Sequence, residues 1–173
     1  MSRSFTINNV SIQFAHFDEP RFDEMRKDDY YSCVIKIPNT DENYTLLQSE
    51  LDDAREYAAT HKAVDVANSD PYIPNLDALV SKDYQTIDIN INSKKPPVVY
   101  DMYGDVIDKP TMRRIRDAEV QLFIFCWVKP KLKTKWGLSF MLDGLCVHDD
   151  LTKAAEEDSA SVPKLTFKKK DKK

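Results

Sequence analysis

Glycine is scarce in this 173-residue chain, with 3 copies against 9 prolines. Loops that cradle phosphates need closely spaced glycines, and Gly104, Gly137 and Gly144 cannot form a dinucleotide fingerprint or a P-loop. The 3 cysteines are an odd number in unrelated contexts, so a disulfide framework is not expected. No apolar run approaches the ~20 residues of a bilayer span, and the amino end lacks an apolar stretch of signal-peptide length. We therefore expect neither a membrane protein nor a secreted one.

Signatures of catalysis are also missing. The 3 histidines lie far apart and show no Cys/His spacing typical of zinc. Asp101, Asp105 and Asp108 resemble a magnesium-chelating nuclease site only in residue type, because their spacing fits neither a helix nor a strand. The sequence predicts no enzyme, no metal site and no cofactor, with a metal-dependent nuclease as a minor alternative.

Charge is distributed unevenly along the chain. The net charge is −4, but residues 41–90 carry 11 acidic and 3 basic side chains, whereas residues 94–136 carry 10 basic and 5 acidic ones. A bipolar molecule of this kind can present a cationic groove to a polyanion while its other side repels it. The plainer interpretation is an acidic helix beside basic loops.

Alternating apolar residues predict five β-strands, at about 5–17, 31–37, 87–91, 119–128 and 136–147. We expect a bulge near Asn8-Asn9 in the first strand, a charged loop from Phe17 to Asp29, and an additional short edge strand at 98–100. Hydrophobic residues at helical spacing predict one long amphipathic helix, Asp41 to His61, after the second strand. The predicted fold is mainly β: a five-stranded OB-fold barrel with that helix packed on it.

The strand Val120 to Val128 is apolar on both faces, so one face must be covered or left for a ligand. Directly after it come four lysines at every second position and a tryptophan. They are Lys129, Lys131, Lys133, Lys135 and Trp136. Unpaired bases stack on aromatic rings, and a cationic groove follows the phosphates. Lysine supplies a point charge rather than bidentate base recognition, so the pattern favours sequence-independent binding of a single strand.

A second stretch combines rings and cations in the same way. It contains Lys94, Lys95, Tyr100 and Tyr103, and it is the candidate for the second wall of a groove. Two competing interpretations stay open: the aromatic face of Val120 to Val128 packs under the long helix, and the lysine hairpin is a solvated turn.

The chain resembles phage-encoded single-stranded-DNA-binding proteins of the OB-fold type over residues 5–148. The resemblance is carried by five soft patterns: 14–20 (FAHFDEP), 31–38 (YSCVIKIP), 96–99 (PPVV), the strand 120–128 and the segment 136–142 (WGLSFML). It implies that aromatic and basic residues on the outer barrel face hold DNA. For this chain these are Tyr100, Tyr103, Trp127, Lys129, Lys131, Lys133, Lys135 and Trp136.

The predicted function is therefore sequence-nonspecific binding of single-stranded DNA in phage replication or recombination, in the host cytoplasm. No feature recognises a 2′-hydroxyl group, so RNA stays open as a partner. Replication proteins are further candidate partners, and no membrane contact is expected. The alternative is a protein-interaction module that docks through the acidic helix, Asp41 to His61.

One domain is expected, an OB-fold nucleic-acid-binding domain at 1–150, followed by a mostly disordered polar tail with a lysine-rich end at 151–173. Proteins of the resembled type often carry an acidic tail with a terminal aromatic residue. Here the acidic patch is only Glu156-Glu157-Asp158, and lysines follow Phe167. We expect this tail to add sequence-independent affinity.

Overall fold

The computed structural model describes residues 4–61, 71–108, 110–129 and 132–149, with only the main chain for 132–134. The elements are β1 (Phe5–Asp23), β2 (Asp28–Pro38), α1 (Asp41–His61), α2 (Leu76–Leu79), β3 (Thr86–Ser93), β4 (Val98–Tyr100), β5 (Ile115–Lys129) and β6 (Leu132–Val147). None of the helices in these ranges is long and apolar enough to cross a bilayer. The predicted tail lies outside the described residues.

The strands form one six-stranded sheet in the order β3-β2-β1-β5-β6-β4. Its two end strands, β3 and β4, follow each other in the chain with only residues 94–97 between them. The sheet therefore curls until its ends meet, and β3 also contacts β6. The prediction of a mainly β, OB-like fold is confirmed. The additional short edge strand predicted at 98–100 is confirmed as β4, which pairs with β6 in parallel and makes the sheet six-stranded. The barrel is partly open, since no ladder joins β3 to β6 within the described ranges.

The interior of the curled sheet is filled by every second residue of each strand. On β5, Val120, Leu122 and Ile124 are buried, and on β6 so are Leu138 and Phe140. Because the side-chain period of a strand is 2, the intervening residues point outward. This alternation decides which aromatic rings are open to a ligand.

Helix α1 has the predicted bounds, Asp41–His61. Thr40 caps it, since its hydroxyl oxygen accepts a 3.1 Å hydrogen bond from the Asn43 main-chain nitrogen. Leu47, Leu51 and Ala58 are buried in the same core as the strands. The helix thus packs on the sheet with its apolar face.

The segment predicted as a loop from Phe17 to Asp29 is mostly β structure. β1 continues to Asp23 and β2 begins at Asp28, so the two strands form a long ribbon. A loop was predicted because this segment is charged and lacks alternating apolar residues. A two-stranded ribbon that is exposed to water on both faces does not need that alternation, so the segment can still form strands. The bulge predicted near Asn8-Asn9 is confirmed by a register shift and by φ of 59° at Asn9.

Candidate nucleic-acid interface

The outward face of β5 carries three aromatic side chains, Phe123, Phe125 and Trp127. Phe125 is 48% exposed, so the long helix does not cover this ring. Phe123 and Trp127 are half-buried. The Phe125 ring is therefore accessible to a ligand on this face.

The ring of Trp127 lies against the main chain of Gly137, its partner on β6. A Cβ atom built on Gly137 would be 2.4 Å from Trp127 Cζ2 and 2.7 Å from Cε2. Only glycine allows this approach, so the sheet itself supports the indole ring. A ring held in this way is a preorganised surface for stacking.

Trp136, predicted to stack on a base, is part of the core. Its side chain is 1% exposed, and it shares the inward phase of Leu138 and Phe140. The expectation of an exposed ring is therefore wrong. Within the described ranges its buried Nε1 has no hydrogen-bond partner, which is unfavourable because the donor is desolvated without compensation.

Two of the four hairpin lysines are described with their side chains. Lys129 at the end of β5 and Lys135 on β6 are both exposed. Lys131 lies outside the described residues, and so does the side chain of Lys133. We name the surface formed by Phe125, Trp127, Lys129 and Lys135 the hairpin face.

Tyr100 lies at the other end of the outer surface. It pairs with Cys146 on β6, nine residues along the strand from Gly137, which is a distance of roughly 30 Å at 3.3 Å per residue. Its surroundings are acidic, because Asp101 follows it and Glu119 is the β5 partner of Cys146. Among the described hairpin lysines, the structure brings neither Lys129 nor Lys135 together with Tyr100.

Tyr103 is highly exposed in the turn after β4. The Asp101 carboxylate organises this turn by accepting hydrogen bonds from the main-chain nitrogens of Tyr103 and Asp105, at 2.9 and 3.0 Å. The carboxylate is thus committed to the turn. Among the described residues no three His, Cys, Asp or Glu side chains are arranged to hold a metal ion.

The Lys94 side chain contacts the β1–β2 ribbon near its turn, at Asp28 and Asp29. Its Nζ is 2.6 Å from an Asp28 carboxylate oxygen and 5.0 Å from the centre of the Tyr30 ring. The hydrogen bond to Asp28 raises the pKa of Lys94 above its usual value. Lys95 is exposed beside it. These two lysines accompany the ribbon, not the hairpin face.

The ribbon forms a groove that the sequence reasoning missed. It has a volume of about 470 Å³, and its lining includes Phe14, His16, Arg21, Phe22, Tyr30 and Asn92. We name it the ribbon groove. Phe14 and Phe22 are exposed, and Arg21 Nη1 donates a 3.1 Å hydrogen bond to His16 Nε2. Burial, with help from Arg113 and Arg21, lowers the pKa of His16.

Phe14 owes its exposure to a second bulge in β1. Its φ is 54°, in the left-handed region that a bulky side chain rarely adopts. The register shifts between Gln13 and His16, so two successive residues face outward. Backbone strain of this kind concentrates at ligand sites. In the sequence, the run 12–17 (IQFAHF) interrupts the alternation of apolar and polar residues, and this interruption could have indicated the second bulge.

An ion pair fixes the ribbon to the barrel. The Arg113 guanidinium donates to both carboxylate oxygens of Asp18, at 2.7 and 3.1 Å, and to the Ala15 carbonyl oxygen at 3.2 Å. The hydrogen bond from Arg113 lowers the pKa of Asp18 to about 2. Arg113 thereby orients the ribbon relative to the start of β5.

Solved structures share this fold. A single-stranded-DNA-binding protein from bacteriophage Enc34 in complex with ssDNA matches with a TM-score of 0.59 and 18% identity, over 85% of this chain and 86% of that one. The same Enc34 protein without DNA gives a TM-score of 0.57 and 19% identity, over 85% of this chain and 81% of that one. This chain has the fold of a phage single-stranded-DNA-binding protein.

A more distant match is gp2.5, a single-stranded-DNA-binding protein encoded by bacteriophage T7. The TM-score is 0.50 and the identity 12%, over 90% of this chain and 95% of that one. No protein-family model matches the sequence, and no curated protein matches it. The likeness is therefore one of fold, and it confirms the resemblance inferred from the five sequence patterns.

The predicted site residues whose side chains are described thus divide among four places. Trp127, Lys129 and Lys135 lie on the hairpin face, and Lys94 and Lys95 accompany the ribbon. Tyr100 and Tyr103 lie at the acidic end around β4, and Trp136 lies in the core. The predicted site residues did not include the exposed rings of Phe125 on the hairpin face, which the sequence left undecided between core and ligand, and of Phe14 in the ribbon groove.

Proposed function

We propose that this chain is a non-enzymatic protein that binds single-stranded DNA without sequence preference, in phage DNA replication or recombination inside the host cell. The observation that carries the proposal is the hairpin face. An exposed phenylalanine and a tryptophan supported by glycine lie there beside exposed lysines. Stacking on rings and contact of lysines with phosphates are the two interactions that sequence-independent binding requires.

The shared fold supports the same partner. The Enc34 protein with this fold was solved with single-stranded DNA bound. OB-folds bind oligonucleotides over strands 2 and 3, between the loops that join strands 1–2 and strands 4–5. In this chain the ribbon groove occupies the first of these loop positions, and the lysine hairpin occupies the second. We place the DNA strand between them.

The charge distribution favours DNA at the hairpin face over DNA at Tyr100. The hairpin face carries Lys129 and Lys135, whereas Asp101 and Glu119 flank Tyr100. Phosphates are repelled at the acidic end and attracted at the other. Tyr100 and Tyr103 remain candidate contacts of smaller effect.

Titration with fluorescein-labelled oligo(dT) tests the proposal. We expect saturable binding that weakens steeply with added salt, because lysine contacts release counterions from the DNA. A mixed-sequence oligonucleotide of equal length should bind within a few-fold of oligo(dT), and the DNA should stay intact when magnesium is added. Absence of binding at low salt would refute the proposal.

A further inference from the structure

Tyr72 is joined to the free side of β6. Its main-chain nitrogen donates to the Trp136 carbonyl oxygen at 3.0 Å, and the Leu138 nitrogen donates to the Tyr72 carbonyl oxygen at 2.9 Å. These two bonds make Tyr72 the parallel partner of Gly137. Tyr72 therefore lies beside β6, on the side away from β5.

Paired residues of neighbouring strands point to the same face of a sheet. Trp127, Gly137 and Tyr72 therefore form one row across three adjacent chain segments, and the row lies on the outer face. Two strand spacings separate the Cα atoms of Trp127 and Tyr72, which is about 10 Å. The Tyr72 side chain is 61% exposed, in agreement with an outward direction.

Gly137 is the residue that permits this row. A Cβ atom at this position would lie 2.4 Å from the Trp127 ring and 2.8 Å from the Tyr72 carbonyl oxygen. One contact is with a side chain, and the other is with main chain that cannot yield without losing its hydrogen bonds. Any side chain at position 137 would therefore displace the indole ring, the Tyr72 segment, or both.

We propose that Tyr72 is a nucleic-acid-binding residue, which forms with Trp127, across Gly137, a two-ring site for an unpaired base. Gly137 acts as a positioning residue, because its lack of a side chain lets the Trp127 ring lie on β6 next to Tyr72. Lys135 is exposed two residues before Gly137, so it points to the same face and lies within reach of the adjoining phosphate. The inference rests on the proposed function and extends it to a residue in a proline-punctuated connection.

Oligo(dT) affinity of three variants tests the role of Tyr72. Tyr72→Ala should weaken binding about 5- to 100-fold without changing its salt dependence, because a stacking ring is lost and no charge is. Tyr72→Phe keeps the ring and should bind within about 2-fold of the unaltered chain. Tyr84, which is 76% exposed in the turn before β3, supplies the control, and Tyr84→Ala should bind normally.

The outcomes separate the two proposals. Normal binding by Tyr72→Ala, or a loss of equal size in Tyr72→Phe, would overturn the two-ring site while leaving the proposed function intact. Failure of the unaltered chain to bind oligo(dT) would overturn both.

Gly137→Ala tests the positioning role of Gly137. In the folded variant, tryptophan fluorescence should be quenched less by saturating oligo(dT) than in the unaltered chain. Undiminished quenching in that folded variant would contradict the role of Gly137.

Discussion

The burial of Trp136 and of Phe125 is the opposite of what their sequence neighbours favour. Trp136 follows four lysines at every second position and was expected to be open, yet it is buried. Phe125 lies in the middle of an apolar strand, yet it is half-exposed. The alternation along β6 predicts that Trp136 is buried, because Trp136 points to the same side of the strand as Leu138 and Phe140. For Phe125 no such signal exists, since both faces of β5 are apolar.

Replacing Trp136 with alanine should lower the free energy of unfolding by about 3–5 kcal/mol, because a large core side chain leaves a cavity. Urea denaturation followed by circular dichroism measures this loss. A variant as stable as the unaltered chain would show that the ring is not part of the core.

Replacing Phe125 with alanine should weaken oligo(dT) binding by about 1–3 kcal/mol, since a ring of the hairpin face is removed. Phe125 is 48% exposed whereas Trp136 is buried, so the urea midpoint should change less than in Trp136→Ala. Fluorescence anisotropy gives the affinity. Unchanged affinity together with a large loss of stability would assign Phe125 to the core instead.

The sequence predicted helices and strands correctly where one face is buried and the other is exposed to water. The bounds of α1 were confirmed because its apolar residues recur at helical spacing. The β1–β2 ribbon was missed because its residues satisfy their main-chain hydrogen bonds by pairing with each other and do not alternate. The four-residue helix α2 was missed because one helical turn is too short to show a period.

The hairpin between β5 and β6 should set the salt dependence of binding. Each lysine that contacts a phosphate of single-stranded DNA contributes about −0.7 to the slope of log K against log salt. Replacing Lys129 and Lys135 together with glutamine should therefore reduce the steepness by about 1.4, measured by anisotropy at several salt concentrations. Lys82→Gln, an exposed lysine before β3, is the control. An unchanged slope in the double variant would remove these lysines from the interface.

The ribbon should loosen in acid. Asp18 has a pKa of about 2 in the folded chain, below its ordinary value of 3.8, because Arg113 donates to its carboxylate. The unfolded chain binds more protons between these values, so this ion pair stabilises the fold above about pH 4 and its contribution is lost as the pH falls toward 2. Asp18→Asn should lower stability at neutral pH and flatten the acid limb of stability against pH.

The matched control is Asp105→Asn, an exposed aspartate outside the ribbon, whose stability profile should follow that of the unaltered chain. Thermal unfolding at pH 2–7 measures all three proteins. If Asp18→Asn retained the full acid dependence, the Arg113–Asp18 pair would not anchor the ribbon.

At the level of the whole molecule, the sheet gathers residues that are distant in sequence and separates others that are near. Lys94 and Tyr100 are six residues apart, yet one accompanies the ribbon groove and the other lies at the acidic end of β6. Tyr72 and Trp127 are far apart in the chain, yet both lie next to Gly137. Composition and charge indicated the class of ligand, but only the strand order shows where rings and lysines coincide. The single channel expected from two sequence stretches is replaced by two surfaces, the hairpin face and the ribbon groove.

The two tryptophans allow a direct test of the claim that DNA stacks on the hairpin face. Only Trp127 lies on that face, whereas Trp136 is buried. Titration with oligo(dT) should quench the intrinsic fluorescence, and the quenching should persist in Trp136→Phe and disappear in Trp127→Phe. Quenching that persists in Trp127→Phe and disappears in Trp136→Phe, in folded proteins that still bind DNA, would contradict the account.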